Sequence, residues 1–190
     1  MSDRNVYVAL LRGINVGGNN IVPMKALKAS FEKLGFAAVK TYINSGNVIF
    51  ASAERDPRVL EASIDAMLER TFKVKGRTVV RTRSEMAKVV RALEKEDISD
   101  PAWRCNVVFL RATVDPKGTL KGMAFDAAIE RVVCCPGTWL WFVSMAGFSR
   151  SQIVKVGRSP LYQDMTVRNP NTTRAVLALM DAAEKPEKTR

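Results

Sequence analysis

The chain has 190 residues, 30 Lys and Arg against 19 Asp and Glu, a formal net charge of +11, and no histidine. A chain of this length folds as one domain or two small fused ones, and 47% hydrophobic with 26% charged residues is ordinary globular composition rather than disorder. Without histidine, Ser-His-Asp and Cys-His catalysis, imidazole acid–base chemistry and His-ligated metal sites are all excluded.

Val6 to Leu11 is an unbroken apolar run, short enough for a strand buried on both faces, and it leads into the Gly-rich stretch Gly13-Ile14-Asn15-Val16-Gly17-Gly18-Asn19-Asn20. Pro23 suits the first turn of a helix whose apolar face is Met24, Leu27, Phe31 and Leu34, closed by Gly35. Val39–Ile43 and Val48–Phe50 flank Asn44-Ser45-Gly46-Asn47, whose Gly and Asn residues tolerate the positive φ of a tight hairpin. Asp56-Pro57 then starts a second helix with Leu60, Ile64, Met67, Leu68 and Phe72 inward, and Gly76 precedes a strand at Thr78–Val80. The order β-α-β-β-α-β is that of a ferredoxin-like unit.

Ser84 is expected to cap a further helix carrying Met86, Val89, Val90 and Leu93, followed by a polar linker from Glu94 to Pro101. Val107–Leu110 reads as a strand, Asp115-Pro116 as a helix start, and Ile129–Val133 with Leu140–Val143 as a pair around Cys134 to Thr138. A helical tract near Ser149 to Val156 and a last helix over Asn171 to Ala183, with Asn171 as its N-cap, complete the chain, and residues 184–190 read as a frayed tail. The expectation is an α+β fold of two ferredoxin-like halves with antiparallel sheets, the second less regular and ending in a C-terminal helix. Residues 1–98 form the first half with its linking helix and 99–190 the second.

Three cysteines, Cys105, Cys134 and Cys135, form no Cys-x-x-Cys motif, so a reduced cytoplasmic protein without a bound metal or other cofactor is expected. The N-terminal apolar run meets Arg12 too early for a signal peptide, and no uncharged run approaches a membrane span. The positive excess is spread along the chain, with local runs from Arg70 to Arg83 and from Arg150 to Arg174. A basic surface suits an anionic small molecule or nucleic acid, and it equally suits a solvated surface with no ligand.

The Gly13–Gly18 loop follows a strand and precedes a helix, the place where backbone N–H groups and a helix dipole receive an anion, although it is neither G-x-G-x-x-G nor a P-loop. Arg12 offers a bidentate fork to phosphate or carboxylate, or a structural salt bridge. Asn15, Asn44 and Asn47 could read a base or sugar edge, or simply hold left-handed turns. Because the first and second strands of a ferredoxin-like unit run the same way, Arg12, Asn15, Gly17, Gly18, Asn44, Ser45 and Asn47 should meet at one rim, with Asn15 and Ser45 within roughly 12 Å, about two to three strand spacings. Arg168 and Asn169, before the last helix, are further ligand candidates. Trp139 and Trp141 share one strand face and serve either as core or as a stacking platform, with core packing the better fit.

Three segments, Leu10-Leu11-Arg12-Gly13-Ile14-Asn15-Val16-Gly17-Gly18, Tyr42-Ile43-Asn44-Ser45-Gly46-Asn47-Val48 and Thr166-Val167-Arg168-Asn169-Pro170-Asn171-Thr172, closely resemble an uncharacterised bacterial family of unknown function whose members open with L-R-G-I-N-V-G-G. The resemblance implies two ferredoxin-like halves and brings no established reaction, substrate or cofactor. The chain departs from the family at Asn44, Gln152 and Pro170, where Gln, Lys and Trp are common. Two functions follow as expectations. One is an anion-binding module, for nucleic acid or a nucleotide, at the Gly-rich loop and the Asn-Ser-Gly-Asn turn. The other is a His-independent enzyme on a small phosphorylated or carboxylated substrate, for which the three motifs supply no carboxylate base.

Overall fold

A computed structural model describes residues 4–184. The chain separates into two compact units, one holding the chain up to Ser84 together with the segment from Ala175 onward, the other Glu85–Arg174.

In the first unit, β1 (Asn5–Leu11), α1 (Met24–Lys33), β2 (Ala37–Tyr42), β3 (Asn47–Ser52), α2 (Pro57–Phe72) and β4 (Thr78–Thr82) build a four-stranded sheet in the order β2-β3-β1-β4. β1 runs antiparallel to both of its neighbours, with Leu10 opposite Asn47 and Leu11 opposite Thr78. This is the ferredoxin-like arrangement expected from the element order. One face of the sheet presents Tyr7, Ala9, Leu11, Phe50 and Val80 to Leu27 and Phe31 of α1 and to Leu60, Ile64 and Leu68 of α2. Phe50 is the hub of this core, with ring centroids 4.4 Å from Phe36 and 5.7 Å from both Tyr7 and Phe31. The other face, Val8, Leu10, Ile49 and Val79, is buried as well, which is why β1 is a continuous apolar run rather than an alternating one.

Edge strand β4 is protected from within the unit. Glu61 and Asp65, one turn apart on α2, accept the N–H groups of Val80 (3.1 Å) and Thr78 (2.8 Å), so two outward donors of the edge are already used. Asp56 caps α2 by accepting from the Arg58 N–H at 2.8 Å, with Pro57 at the first turn, as its sequence signal requires. Helix α1 instead has Pro23 at the N-cap position itself, one residue earlier than expected, and no side chain caps it.

The second unit contains most of α3 (Arg83–Leu93), then β5 (Trp103–Leu110), α4 (Pro116–Lys121), β6 (Glu130–Cys135), β7 (Thr138–Ser144), a 3-10 turn at Phe148–Arg150, α5 (Gln152–Val156), a second 3-10 turn at Pro160–Asp164 and β8 (Met165–Arg168). The last described element is α6 (Pro170–Glu184). The sheet order β6-β7-β5-β8 repeats that of the first unit. Strand β8 is absent from the sequence reading; its four residues lie between a 3-10 turn and a helix and carry too short a pattern to register as a strand. Ser84 lies inside α3 rather than capping it. Asn171 is not the cap of α6; Asn169 accepts the Thr172 N–H at 2.7 Å, because Pro170 takes the first helical position. Residues 185–190, most of the tail read from sequence, lie outside the described residues.

Trp139 and Trp141 are completely buried, with ring centroids 5.8 Å apart in an edge-to-face contact, and they form the centre of this unit's core with Val108, Leu110, Val143 and Met165. Each indole N–H is satisfied, Trp139 by the Pro116 carbonyl at 3.1 Å and Trp141 by the buried Glu130 carboxylate at 3.0 Å. They are core residues, and neither presents a stacking face to solvent.

Candidate functional site

The rim of the first unit at the end of β1 is where the two Gly- and Asn-rich segments meet. The Leu11 N–H donates to the Gly46 carbonyl at 2.7 Å, which ties the end of β1 to the β2–β3 turn. Gly46 sits at φ +77°, and a Cβ there would meet Leu11 Cβ at 2.8 Å and Ile14 Cδ1 at 2.9 Å, so both its conformation and its space require glycine.

Asn15 is the clamp of the loop. At φ 54° its side chain accepts the Val22 N–H at 2.7 Å and donates to the carbonyls of Val22 and Asn44, each at 3.0 Å. The last bond joins the Gly-rich loop to the β2–β3 turn. Asn20 closes the loop from the other side, its side chain donating to the Gly13 carbonyl at 2.9 Å while its own carbonyl accepts the Asn15 N–H at 3.1 Å. Asn47 is fully buried and donates to the Tyr42 carbonyl and to Ser45 Oγ, both at 3.1 Å. These asparagines hold backbone, and their amides are engaged within the protein.

The turn departs from expectation in one respect. Its left-handed residues are Gly46 and Ile43, not Asn44 or Asn47. Ile43 at φ 46° is a β-branched side chain in a region costing about 1–2 kcal/mol, and it is half exposed. Such strain, held in place by the surrounding bonds, concentrates at working surfaces.

Around this clamp lies an open cleft of about 430 Å³ lined by Asn15, Gly18, Asn44 and an apolar wall of Ile21, Val22, Pro23 and Met24. Its size is that of a small-ligand site. The start of α1 opens at its mouth. The first intrahelical bond is donated by the Leu27 N–H to the Pro23 carbonyl, and with no side-chain cap the amides of Met24, Lys25 and Ala26 lack an intrahelical acceptor. The exposed ammonium of Lys25 adds positive charge to this dipole end. No titratable side chain lines the cleft, so its geometry supplies binding groups rather than an acid or base.

Of the candidates read from sequence, Asn15, Gly18 and Asn44 line the cleft. Arg12, half-buried, and Gly17, Ser45 and Asn47 belong to the same loops without lining it. Lys75 and Arg77 line a separate depression with Asp65 and Glu69. Arg168 and Asn169 belong to the second unit. Arg168 donates to Thr166 Oγ1 and the Val167 carbonyl, both at 2.9 Å, and burial brings its guanidinium down to about 10. Asn169 is the helix cap. The apolar wall from Ile21 to Met24 was missed by sequence reasoning, although one signal pointed to it: no Ser, Thr, Asp or Asn stands directly before α1, so its N-terminus had to be open.

The cysteines are free thiols without activating surroundings. Burial pushes Cys105 up to about 11 and raises Cys134 and Cys135 as well. Among the described residues no cluster of metal-ligating side chains forms, and no helix is long and apolar enough to cross a membrane.

Comparison with known proteins agrees with this picture of the fold and adds no activity. The chain is similar to a solved structure of a conserved bacterial protein, SP0830, from Streptococcus pneumoniae. The two share 23% identity and a TM-score of 0.75 over 93% of this chain and 99% of the other. At that identity the likeness establishes the architecture alone. No curated protein matches. The profile of a family described as "Protein of unknown function (DUF1697)" matches residues 4–137, well over half of the chain and including both the Gly-rich loop and the Asn44–Asn47 turn, and the chain therefore belongs to that family.

Proposed function

We propose that the chain binds a small anionic ligand of the nucleotide class in the cleft between the Gly-rich loop and the Ile43–Gly46 turn. The anionic group sits at the open N-terminus of α1 and the less polar part lies along Ile21 and Met24. The observation that carries this reading is a difference between equivalent positions. In the second unit, the helix that follows the first strand has its N-terminus filled by the protein's own carboxylate, Asp115 accepting the Lys117 N–H at 3.1 Å. In the first unit the same position is Pro23, which offers no side-chain acceptor, so the cleft beside it faces uncapped amides, whereas the recess at the second unit's rim is lined by the capping Asp115 itself. Backbone amides at a helix start favour phosphate or carboxylate, and Lys25 reinforces them. The apolar wall favours a ligand with a ring or chain over free inorganic phosphate.

The test is a titration of the ¹⁵N-labelled protein with a nucleoside monophosphate and, separately, with the uncharged nucleoside. The monophosphate should shift the amides of Gly18, Met24, Lys25 and Ala26 saturably, and Lys25→Glu should weaken it about tenfold. Equal binding of the uncharged nucleoside, or no saturable change at these amides, would overturn the reading.

A further inference from the structure

A second recess lies wholly within the second unit and has a different character. Between α3 and the outer strand β6 runs a groove of about 540 Å³, with Lys88, Arg91 and Lys95 along one bank and Val133, Cys134 and Cys135 along the other. Lys88 and Arg91 share one face of α3, Lys95 follows in the turn just after it, and all three are exposed. None of them makes an ion pair among the described residues. The one acid in the groove, Glu96, is engaged by Arg131 at 2.7 Å and leaves the stripe positive.

The opposite bank is a sheet edge. β6 ends the order β6-β7-β5-β8, so its inner side pairs with β7 and alternate residues direct N–H and C=O groups outward. On β4, an outer strand of the other unit, such donors are taken by Glu61 and Asp65; on β6 no side-chain bond to a backbone N–H exists among the described residues.

The geometry points to this groove as a docking site for an extended acidic peptide segment, which adds to β6 as a fifth strand while its carboxylates meet Lys88, Arg91 and Lys95. Strand addition uses the edge's alternating donors and acceptors, and the helix stripe selects for negative charge. A second copy of the chain is the poorer occupant, since pairing β6 with β6 brings two identical cation stripes to one interface. Nucleic acid would satisfy the cations but offers no backbone with peptide spacing to the strand.

The experiment titrates the full chain with a short capped peptide of alternating Glu and Val, with the Lys–Val counterpart and a single-stranded oligonucleotide as controls, followed by amide shifts and hydrogen exchange. The acidic peptide should bind saturably, slow exchange at outward amides of β6, and lose about tenfold in affinity in the surface triple variant K88E/R91E/K95E. Its binding should also weaken between ~50 mM and ~300 mM salt. Equal binding of the lysine peptide, tighter binding of the oligonucleotide at these residues, shifts on α3 without protection of β6, or self-association through β6 would each overturn the proposal.

Discussion

In the first unit twelve residues, Arg12–Pro23, separate β1 from α1, whereas in the second only five, Arg111–Asp115, separate β5 from α4. The turn at the same rim shrinks likewise, from Ile43–Gly46 to Pro136-Gly137. Yet the scaffold beneath is the same. Leu11 N–H donates to the Gly46 carbonyl at 2.7 Å and Leu110 N–H to the Gly137 carbonyl at 3.0 Å, and both glycines take positive φ. Asn47 and Thr138 occupy matching registers, opposite Leu10 and Phe109. Asn47 staples its turn with two hydrogen bonds, while Thr138 Oγ1 is buried and makes none. The comparison teaches that the strand-to-turn bond is what the ferredoxin-like frame needs, and that the longer loops, the clamp of Asn15 and the uncapped helix are additions peculiar to one rim. Additions of that kind, carried on a rigid frame, are where binding is found.

The largest expected effect separates the two turn glycines. Gly46→Ala combines a left-handed alanine with a collision against Leu11 and Ile14 and should cost about 3 kcal/mol in urea unfolding. Gly137→Ala places the same left-handed alanine at φ 61°, a conformational cost of about 1 kcal/mol. Equal costs would mean that the close approach of Gly46 to the loop is not part of the frame.

Next comes the clamp. Asn15→Ala removes three short hydrogen bonds and a residue suited to φ 54°, and should cost about 2 kcal/mol. Amide exchange should speed up through residues 13–22 while β5 to β8 stay protected. Uniform loss across both sheets would contradict a local role.

The smallest effect has the opposite sign. Ile43→Gly relieves the left-handed backbone at an exposed position and should stabilise the protein by ~0.5–1 kcal/mol, a rise in melting temperature of about 1–4 °C. Destabilisation would show that the Ile43 side chain contributes packing that outweighs its strain.

Much of this frame was legible in the sequence. The run Val6–Leu11 and the hairpin around Asn44–Asn47 announced a sheet with two buried faces, and Asp56-Pro57 and Asp115-Pro116 marked two helix starts through a cap that only a short polar side chain makes. β8 stayed hidden because its four residues acquire strand character by pairing with β5, a long-range cause that no local pattern carries. The two-half repeat of element order was legible, but the same reason concealed which residues correspond between the halves. Arg81 and Arg168 stand at matching registers opposite Val8 and Val107, each donating to the preceding carbonyl, but their equivalence emerges only from the pairing of strands. At the rim, the sequence identified the loops correctly but gave the asparagines two possible uses, and the cleft's apolar wall is assembled by a loop that folds back through Asn15 to Val22.

The central claim is that the start of α1 is open for an external anion where the start of α4 is closed by Asp115. Replacing Pro23 by Asp reproduces the second unit's cap in the first, and it should stabilise the helix start by about 1 kcal/mol. Titration of both proteins with a nucleoside monophosphate then decides the matter. Binding at Gly18, Met24 and Lys25 should be strong in the parent and reduced at least about tenfold in Pro23→Asp, with the fold intact. Undiminished binding in the variant, or ligand shifts at Asp115 to Lys117 instead, would contradict the account.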